Sequence, residues 1–338
     1  MTSTGVHPVG RPPVIDIRGI TKRFGATTAV DDVSFRVHAG EVVGFLGPNA
    51  AGKTTTMRVL TCFLAPDAGT AAVAGFDIHD DPLEVRRRIG YLPESAPLYL
   101  DMGVIEHLRF IAEMRGLPRD SIDGRVREMI DVCGLGGVLA KDVGELSKGY
   151  RQRVGLAVTM IHDPEILVLD EPTTGLDPSQ IIEIRELIRG IGREKTVILS
   201  THILPEVEAT STRVLIINEG RIVATGTPGE LASMAMGGER VRISLRAPRE
   251  EARGLLETLP RASVVEALGD GEDGFQEFAL SGDDGVALTD EVFDLARERG
   301  WRLRELKRER ATLEDVFLRL TTGDAEEDGS ESAKEREQ

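Results

Sequence analysis

Cysteine is almost absent from this chain of 338 residues, with only Cys62 and Cys133. Two such thiols build no disulfide framework, and neither stands in a metal-binding spacing, which points to reduced thiols in a cytosolic chain. Positive charge is also short: 41 Lys and Arg face 57 Asp and Glu, a formal net charge of −16. That balance argues against a general nucleic-acid binder, while leaving room for a local basic patch. No apolar run approaches the ~20 residues that span a bilayer as a helix. Met1 to Pro13 is polar and proline-rich, without the apolar core of a signal peptide. Any role at a membrane is therefore expected to pass through a partner.

What is present describes a globular protein, 41% hydrophobic and 29% charged, long enough for two or three domains with real cores. Part of the acidity is a tail effect. After Thr322, seven acids (Asp324, Glu326, Glu327, Asp328, Glu331, Glu335, Glu337) face two bases (Lys334, Arg336), a net of −5. Residues 322–338 are accordingly expected to be disordered, as are residues 1–13.

One stretch organises the rest: Gly47-Pro48-Asn49-Ala50-Ala51-Gly52-Lys53-Thr54-Thr55. It fits G-x-x-x-x-G-K-[ST], the phosphate-binding loop. Its glycines let successive backbone N–H groups point inward at phosphate oxygens. Lys53 is placed to reach the β- and γ-phosphates, and the Thr54 hydroxyl to ligate Mg²⁺. Val42 to Leu46 reads as a buried strand before the loop, and Thr55 to Phe63 as a helix whose N-terminus faces the anion.

Val14–Arg18 and Val33–Val37 alternate like strands, with Phe24 between them. Phe24 can stack on a purine or simply fill a turn, and the residues alone do not choose. Short strands are expected at Thr70–Ala74 and Ile89–Leu92, and a helical insert from Asp101 to Cys133. Ser147 can cap the helix that follows, with Gly149 delaying its start. Ile166-Leu167-Val168-Leu169-Asp170-Glu171 reads as a buried parallel strand with carboxylates at its C-terminal end, where open α/β sheets bind ligands. Asp170 suits a Mg²⁺ ligand, and Glu171 a base that polarises the attacking water. Thr196–Ser200 is a second buried strand, ending at Thr201-His202. An isolated Asp-Glu pair or a lone His is more often plain solvated polarity. With a phosphate loop upstream, three strand ends converge on one phosphate chain. From Glu239 to Thr321 the order changes to β-α-β-β-α-β, that of a ferredoxin-like unit.

These motifs together resemble the ATP-binding subunits of ABC transporters, over about Val14 to Glu230. Beside the phosphate loop stand a signature-like Leu146-Ser147-Lys148-Gly149-Tyr150, the turn Gly175-Leu176-Asp177-Pro178 and a switch histidine, His202. The resemblance implies an α/β P-loop NTPase over residues 14–238, with a RecA-like core, an antiparallel β subdomain and a helical subdomain at about 95–160. A small α+β accessory domain follows at 239–321. It further implies ATP and Mg²⁺ as ligands and Phe24 stacked on adenine. Gly47, Pro48, Asn49, Ala50, Ala51, Gly52, Lys53, Thr54 and Thr55 would surround the phosphates. Ser147 and Gly149 would touch the γ-phosphate of ATP held by a second copy, with Asp177 at the seam of that head-to-tail homodimer. Glu171 becomes the catalytic base, with His202 and Lys53 on the γ-phosphate, and Thr54, Asp170 and Glu94 around the metal. The protein is then expected on the inner face of the cell membrane, bound to a separate permease, with no nucleic acid.

Some positions depart from the family pattern. Ala50 and Lys148 stand where glycine is usual, Tyr150 where Gln is, and Glu94 where the family has Gln. Tyr91–Glu94, Pro97–Tyr99, Leu146–Tyr150 and Ala311–Phe317 resemble the ABC-2 type exporters, nearest to the gliding-motility-associated ATPase subunit and its relatives. Two other readings compete: a soluble ABC protein acting on ribosomes or nucleic acid, and a nucleotide-gated regulator of low turnover. A single phosphate loop, no heptad run and an acidic pI weigh against the first, and Glu171 with His202 against the second.

Overall fold

A computed structural model describes residues 12–234, 239–270, 274–282, 285–309 and 312–322. The disorder expected at 1–13 and 322–338 falls, apart from Pro12, Pro13 and Thr322, outside the described residues, as does Ala311 of the C-terminal motif. The chain divides into two compact units, residues 1–225 and 226–338.

In the first unit, β1 (Ile15–Phe24) and β2 (Thr27–Val37) form an antiparallel pair, then β3 (Val42–Leu46) leads into α1 (Lys53–Leu60). β4 (Ala68–Val73) and β5 (Phe76–Asp77) join β1 and β2 in a four-stranded antiparallel sheet of order β2-β1-β4-β5. After α2 (Pro82–Arg88) and β6 (Ile89–Leu92) come three helices, α3 (Val104–Met114), α4 (Arg119–Cys133) and α5 (Lys148–Met160). The chain then alternates through β7 (Ile166–Asp170), α6 (Pro178–Ile191), β8 (Thr196–Thr201), α7 (Leu204–Thr210), β9 (Arg213–Asn218) and β10 (Arg221–Gly226). The second sheet has the order β10-β9-β3-β8-β7-β6, and its β6-β7-β8-β3-β9 run is parallel.

Burial on both faces explains the unbroken apolar runs of this sheet. In β7, Ile166 and Val168 pack on one side with Phe45, Met57 and Ile198, while Leu167 and Leu169 pack on the other with Leu156, Leu199 and Leu108 of the helical insert. Each such side chain contributes about 1.5–3 kcal/mol by leaving water. The register is what positions the site. Leu46 lies beside Thr201 and Asp170 beside Ser200, so the polar ends of β3, β7 and β8 come out on one edge.

At α5 the structure corrects the sequence. Gly149 delays nothing: the helix begins at Lys148, because the Ser147 hydroxyl accepts the Tyr150 N–H at 3.4 Å and caps it directly. Gly149 lies instead against the Gln180 side chain, whose amide end a Cβ there would meet at 2.7 Å and have to displace.

The second unit opens with α8 (Pro228–Met234), which packs on the closing α11 (Leu313–Thr322). The sequence-based boundary at residue 239 falls after α8, whereas the division in the structure falls before it. Between these helices run β11 (Glu239–Arg246), α9 (Arg249–Leu256), β12 (Val264–Asp270), β13 (Gln276–Gly282), α10 (Gly285–Glu298) and β14 (Arg302–Glu309). The order is β12-β13-β11-β14, all antiparallel, with Val241, Ile243, Leu245, Phe278 and Leu280 clustered with Leu256, Leu288 and Val292 of the helices. This is the β-α-β-β-α-β connectivity read from the sequence.

Candidate active site

The phosphate loop is built by exclusion of side chains. A Cβ on Gly47 would lie 2.4 Å from the Ile217 carbonyl oxygen, and one on Gly52 (φ +102°) 2.4 Å from that of Ala29. Neither position admits another residue without moving backbone. Ala50 takes φ +66°, a left-handed conformation that glycine would occupy without steric cost. The loop therefore keeps its shape in spite of the alanine.

Lys53, only 6% exposed, folds back over this loop. Its ammonium donates to the carbonyls of Gly47 (2.8 Å) and Pro48 (3.0 Å) and sits 3.4 Å from Glu171 Oε1. The other Glu171 oxygen, Oε2, lies 2.9 Å from His202 Nδ1 and 3.3 Å from the Thr174 hydroxyl. One carboxylate thus connects the phosphate-loop lysine to the histidine after β8. Glu171 is held at φ +49°, with its N–H donating to Ser200 O (3.0 Å) and Ser200 Oγ (3.2 Å).

Asp170 is fully buried at the end of β7. Its Oδ1 accepts a short hydrogen bond from the Ser200 hydroxyl, while Oδ2 is buried without a partner. A buried carboxylate oxygen left unsatisfied is costly, and its chemistry suits a hard cation. Among the described residues no group of three or more His, Cys, Asp or Glu could hold a metal alone. The residues present fit Mg²⁺ in the manner of a nucleotide site, where one or two protein oxygens act together with phosphates and water.

A cavity of about 520 Å³ brings most of the sequence-predicted residues together: Phe24, Asn49, Ala50, Gly52, Lys53, Thr54, Thr55, Glu94, Glu171 and His202 all line it. Gly47, Pro48 and Ala51 belong to the same loop, and Asp170 lies just beneath. Phe24 is 52% exposed, with the Lys22 ammonium 5.8 Å from its ring centroid. That exposure decides against a core role for this ring. Ser147, Gly149 and Asp177 are not on the cavity wall. They sit together elsewhere: Gly149 against Gln180, and the Lys148 ammonium where a Cβ on Gly175 would stand. Asp177 caps α6 by accepting the Gln180 N–H at 2.9 Å, and that bond with the Ser179 hydroxyl holds its carboxyl below the usual range.

Sequence reasoning missed several polar residues of this edge. Ser200 joins Asp170 to Glu171, and Glu206 on α7 accepts from Thr173 and Thr201. The one signal available was the pair of hydroxyls closing an otherwise apolar strand, Ile198-Leu199-Ser200-Thr201.

A phosphate loop between a parallel strand and a helix, a buried acidic strand end and an aromatic-rimmed cavity define a P-loop nucleotide hydrolase. The comparisons agree. The family model described as ABC transporter matches residues 30–174. The Nod factor export ATP-binding protein I of Ralstonia nicotianae is 37% identical over 93% of this chain and 95% of its own length. The daunorubicin/doxorubicin resistance ATP-binding protein DrrA of Streptomyces peucetius is 34% identical over 96% and 97%. A solved ATP-binding subunit of an ABC transporter superimposes with a TM-score of 0.59 at 29% identity, covering 65% of this chain and 92% of that one. CbiO1 from Clostridium perfringens, part of the cbiONQ transporter complex, gives 0.61 at 26% identity over 74% and 97%. The chain belongs to the ABC transporter family, as an ATP-binding subunit with an ATPase domain.

Proposed function

We propose that this protein drives a membrane exporter, binding and hydrolysing Mg²⁺-ATP in the cavity beside the phosphate loop. The observation that carries this reading is the Glu171 carboxylate, held between Lys53 and His202 on the cavity wall with the unpartnered Asp170 oxygen beside it. Phe24 stacks on the adenine. The backbone N–H groups of the phosphate loop and Lys53 hold the phosphates. Thr54 and Asp170 would hold Mg²⁺, Asp170 directly or through water, with the exposed Glu94 as a further carboxylate ligand. Glu171 orients and deprotonates the attacking water, and His202 contacts the γ-phosphate. Most of the catalysis is charge stabilisation on the transferring phosphoryl group.

Ser147 and Gly149 complete the site from a second copy in a head-to-tail homodimer, with Asp177 at the seam. Their place off the cavity wall, in one packed block with Gln180 and Gly175, supports this arrangement. Within the family we place the chain with the ABC-2 type exporters, peripheral on the inner face of the membrane. The loop from Glu94 to Leu100, with Tyr99 53% and Leu100 50% exposed, docks the permease. No helix among the described residues is long and apolar enough to cross a membrane, so the path for cargo lies in that partner. The two relatives above are named for export and drug resistance, which supports the exporter placement and lends nothing to a motility role.

The test is Glu171→Gln. With Mg²⁺-ATP this variant accumulates as a dimer in size-exclusion chromatography with light scattering, loses steady-state hydrolysis, and brings down a polytopic membrane protein from detergent-solubilised membranes. A variant that stays monomeric at saturating ATP and hydrolyses at full speed overturns the assignment.

A further inference from the structure

Glu206 is an acid for which the site described above has no use. It is 1% exposed on α7, and among the described residues it forms no ion pair. Burying a carboxylate away from water without a cation costs several kcal/mol unless its lone pairs are filled. Two threonine hydroxyls supply one hydrogen bond to each oxygen. Thr173 Oγ1 donates a short hydrogen bond to Oε1, and Thr201 Oγ1 donates to Oε2 at 2.9 Å. Both threonines are themselves buried, at 2% and 0% exposure.

The placement of the two threonines gives this bridge its meaning. Thr173 follows Glu171 by two residues, in a turn closed by the Thr174 N–H on the Glu171 carbonyl at 3.1 Å. Thr201 precedes His202, and its hydroxyl oxygen accepts the Ile203 N–H at 3.0 Å, folding the chain around the histidine. The two loops belong to adjacent strands, β7 and β8, and each hangs from one oxygen of the same carboxylate. A carboxylate only accepts, so both hydroxyls must donate, and neither loop can turn away without stranding a buried charge.

We propose that Glu206 is a positioning residue for ATP hydrolysis, which locks the Glu171 loop to the His202 loop so that both side chains reach the γ-phosphate together. The proposal rests on the roles given above to Glu171 and His202. Nucleotide binding lies mainly with the phosphate loop and Phe24, which Glu206 does not touch. Loss of the bridge therefore acts on the chemical step. A displacement of about 1 Å at the reacting centre costs on the order of 10²-fold in rate.

The experiment compares wild type with Glu206→Gln, Thr173→Val, Thr173→Ser, Thr201→Val and Glu171→Gln. Each is measured for steady-state hydrolysis of Mg²⁺-ATP, for ATP affinity by equilibrium titration, and for thermal midpoint. In Glu206→Gln, kcat falls by about 10- to 100-fold, while KM and the ATP dissociation constant stay within about threefold. Thr173→Val falls likewise, and Thr173→Ser, which keeps the hydroxyl, recovers most of the rate. Unchanged kcat in Glu206→Gln overturns the proposal. So does a loss that the serine variant does not recover, or that appears equally in ATP affinity and in thermal midpoint, since that marks a merely structural residue. Failure of the underlying reading looks different: Glu171→Gln would then turn over ATP as fast as wild type, whatever Glu206→Gln does.

Discussion

His162 should make the ATPase unit lose stability at mildly acid pH. It lies just past the C-terminus of α5, with Nε2 3.2 Å from the Ile89 carbonyl and Nδ1 buried without a partner. Burial pushes its pKa down to about 4, helped by the nearby charges of Arg115, Arg125 and Lys195, against an ordinary value of 6.5. The sign follows from linkage. The unfolded chain takes up the proton first, so stability is whole above pH 6.5 and declines as pH falls from there toward 4. For these two values the loss between pH 7.5 and pH 5.0 is about 2 kcal/mol, with a slope near 5.0 of about 1.2 kcal/mol per pH unit. The carboxylates with lowered pKa, such as Asp16, Asp67 and Asp163, contribute in a separate window, since their stabilisation is lost only below about 3.8. The assay is urea unfolding followed by circular dichroism at pH 7.5, 6.0 and 5.0, on wild type and His162→Gln. The glutamine amide keeps a donor for the Ile89 carbonyl but does not titrate. The variant should lose about 2 kcal/mol less than wild type across this range. Parallel pH profiles for the two proteins would refute the reasoning.

Two further changes follow from local geometry. Ala50→Gly removes a methyl group from a left-handed residue (φ +66°) and should raise stability by about 0.5–1 kcal/mol without weakening ATP binding; a loss of stability in urea would show that the alanine costs the loop nothing. His107→Leu should raise stability by about 1–2 kcal/mol, because this imidazole is 0% exposed with both ring nitrogens unpartnered, and burial lowers its pKa. A lower unfolding midpoint for that variant would count against the buried-imidazole argument.

The sequence made the strand ends legible because each announces itself locally. Glycines, a lysine and a threonine follow β3, one acid ends β7 and a second follows it, and a histidine follows β8. Parallel pairing then does the rest, since Leu46 falls beside Thr201 and Asp170 beside Ser200, all at one edge. What stayed hidden depends on contacts between distant residues. Ser200 matters because it sits opposite Asp170, and Glu206 because Thr173 lies 33 residues earlier; neither relation leaves a periodic trace. Gly149 was misread for a different reason. Its helix propensity is poor, but the Ser147 cap decides the local structure. The boundary between the units was likewise set by the packing of α8 on α11, which is distant in sequence.

Backbone strain is present at the same edge of the sheet, at two of the seven non-glycine residues with positive φ among the described residues. Ala50 and Glu171 both adopt left-handed conformations that L-residues avoid, and both line the cavity. Such residues persist only where their surroundings over-determine them. For Glu171 the cause can be named: its N–H is fixed on Ser200 at two oxygens, its carbonyl accepts from Thr174, and its carboxylate is shared by Lys53 and His202. Without the strain, the chain leaving β7 would continue extended and carry the carboxylate away from the phosphate loop. The strained turn therefore sets the position of the charge that faces the phosphate-loop lysine. Lys53 is meanwhile held by carbonyls of its own loop, at 2.8 and 3.0 Å. Those are neutral partners that the negative oxygens of a nucleotide can replace with a net electrostatic gain. The site is thus rigid at its base and exchangeable at its cation, as expected of a site that binds, hydrolyses and releases a polyphosphate repeatedly.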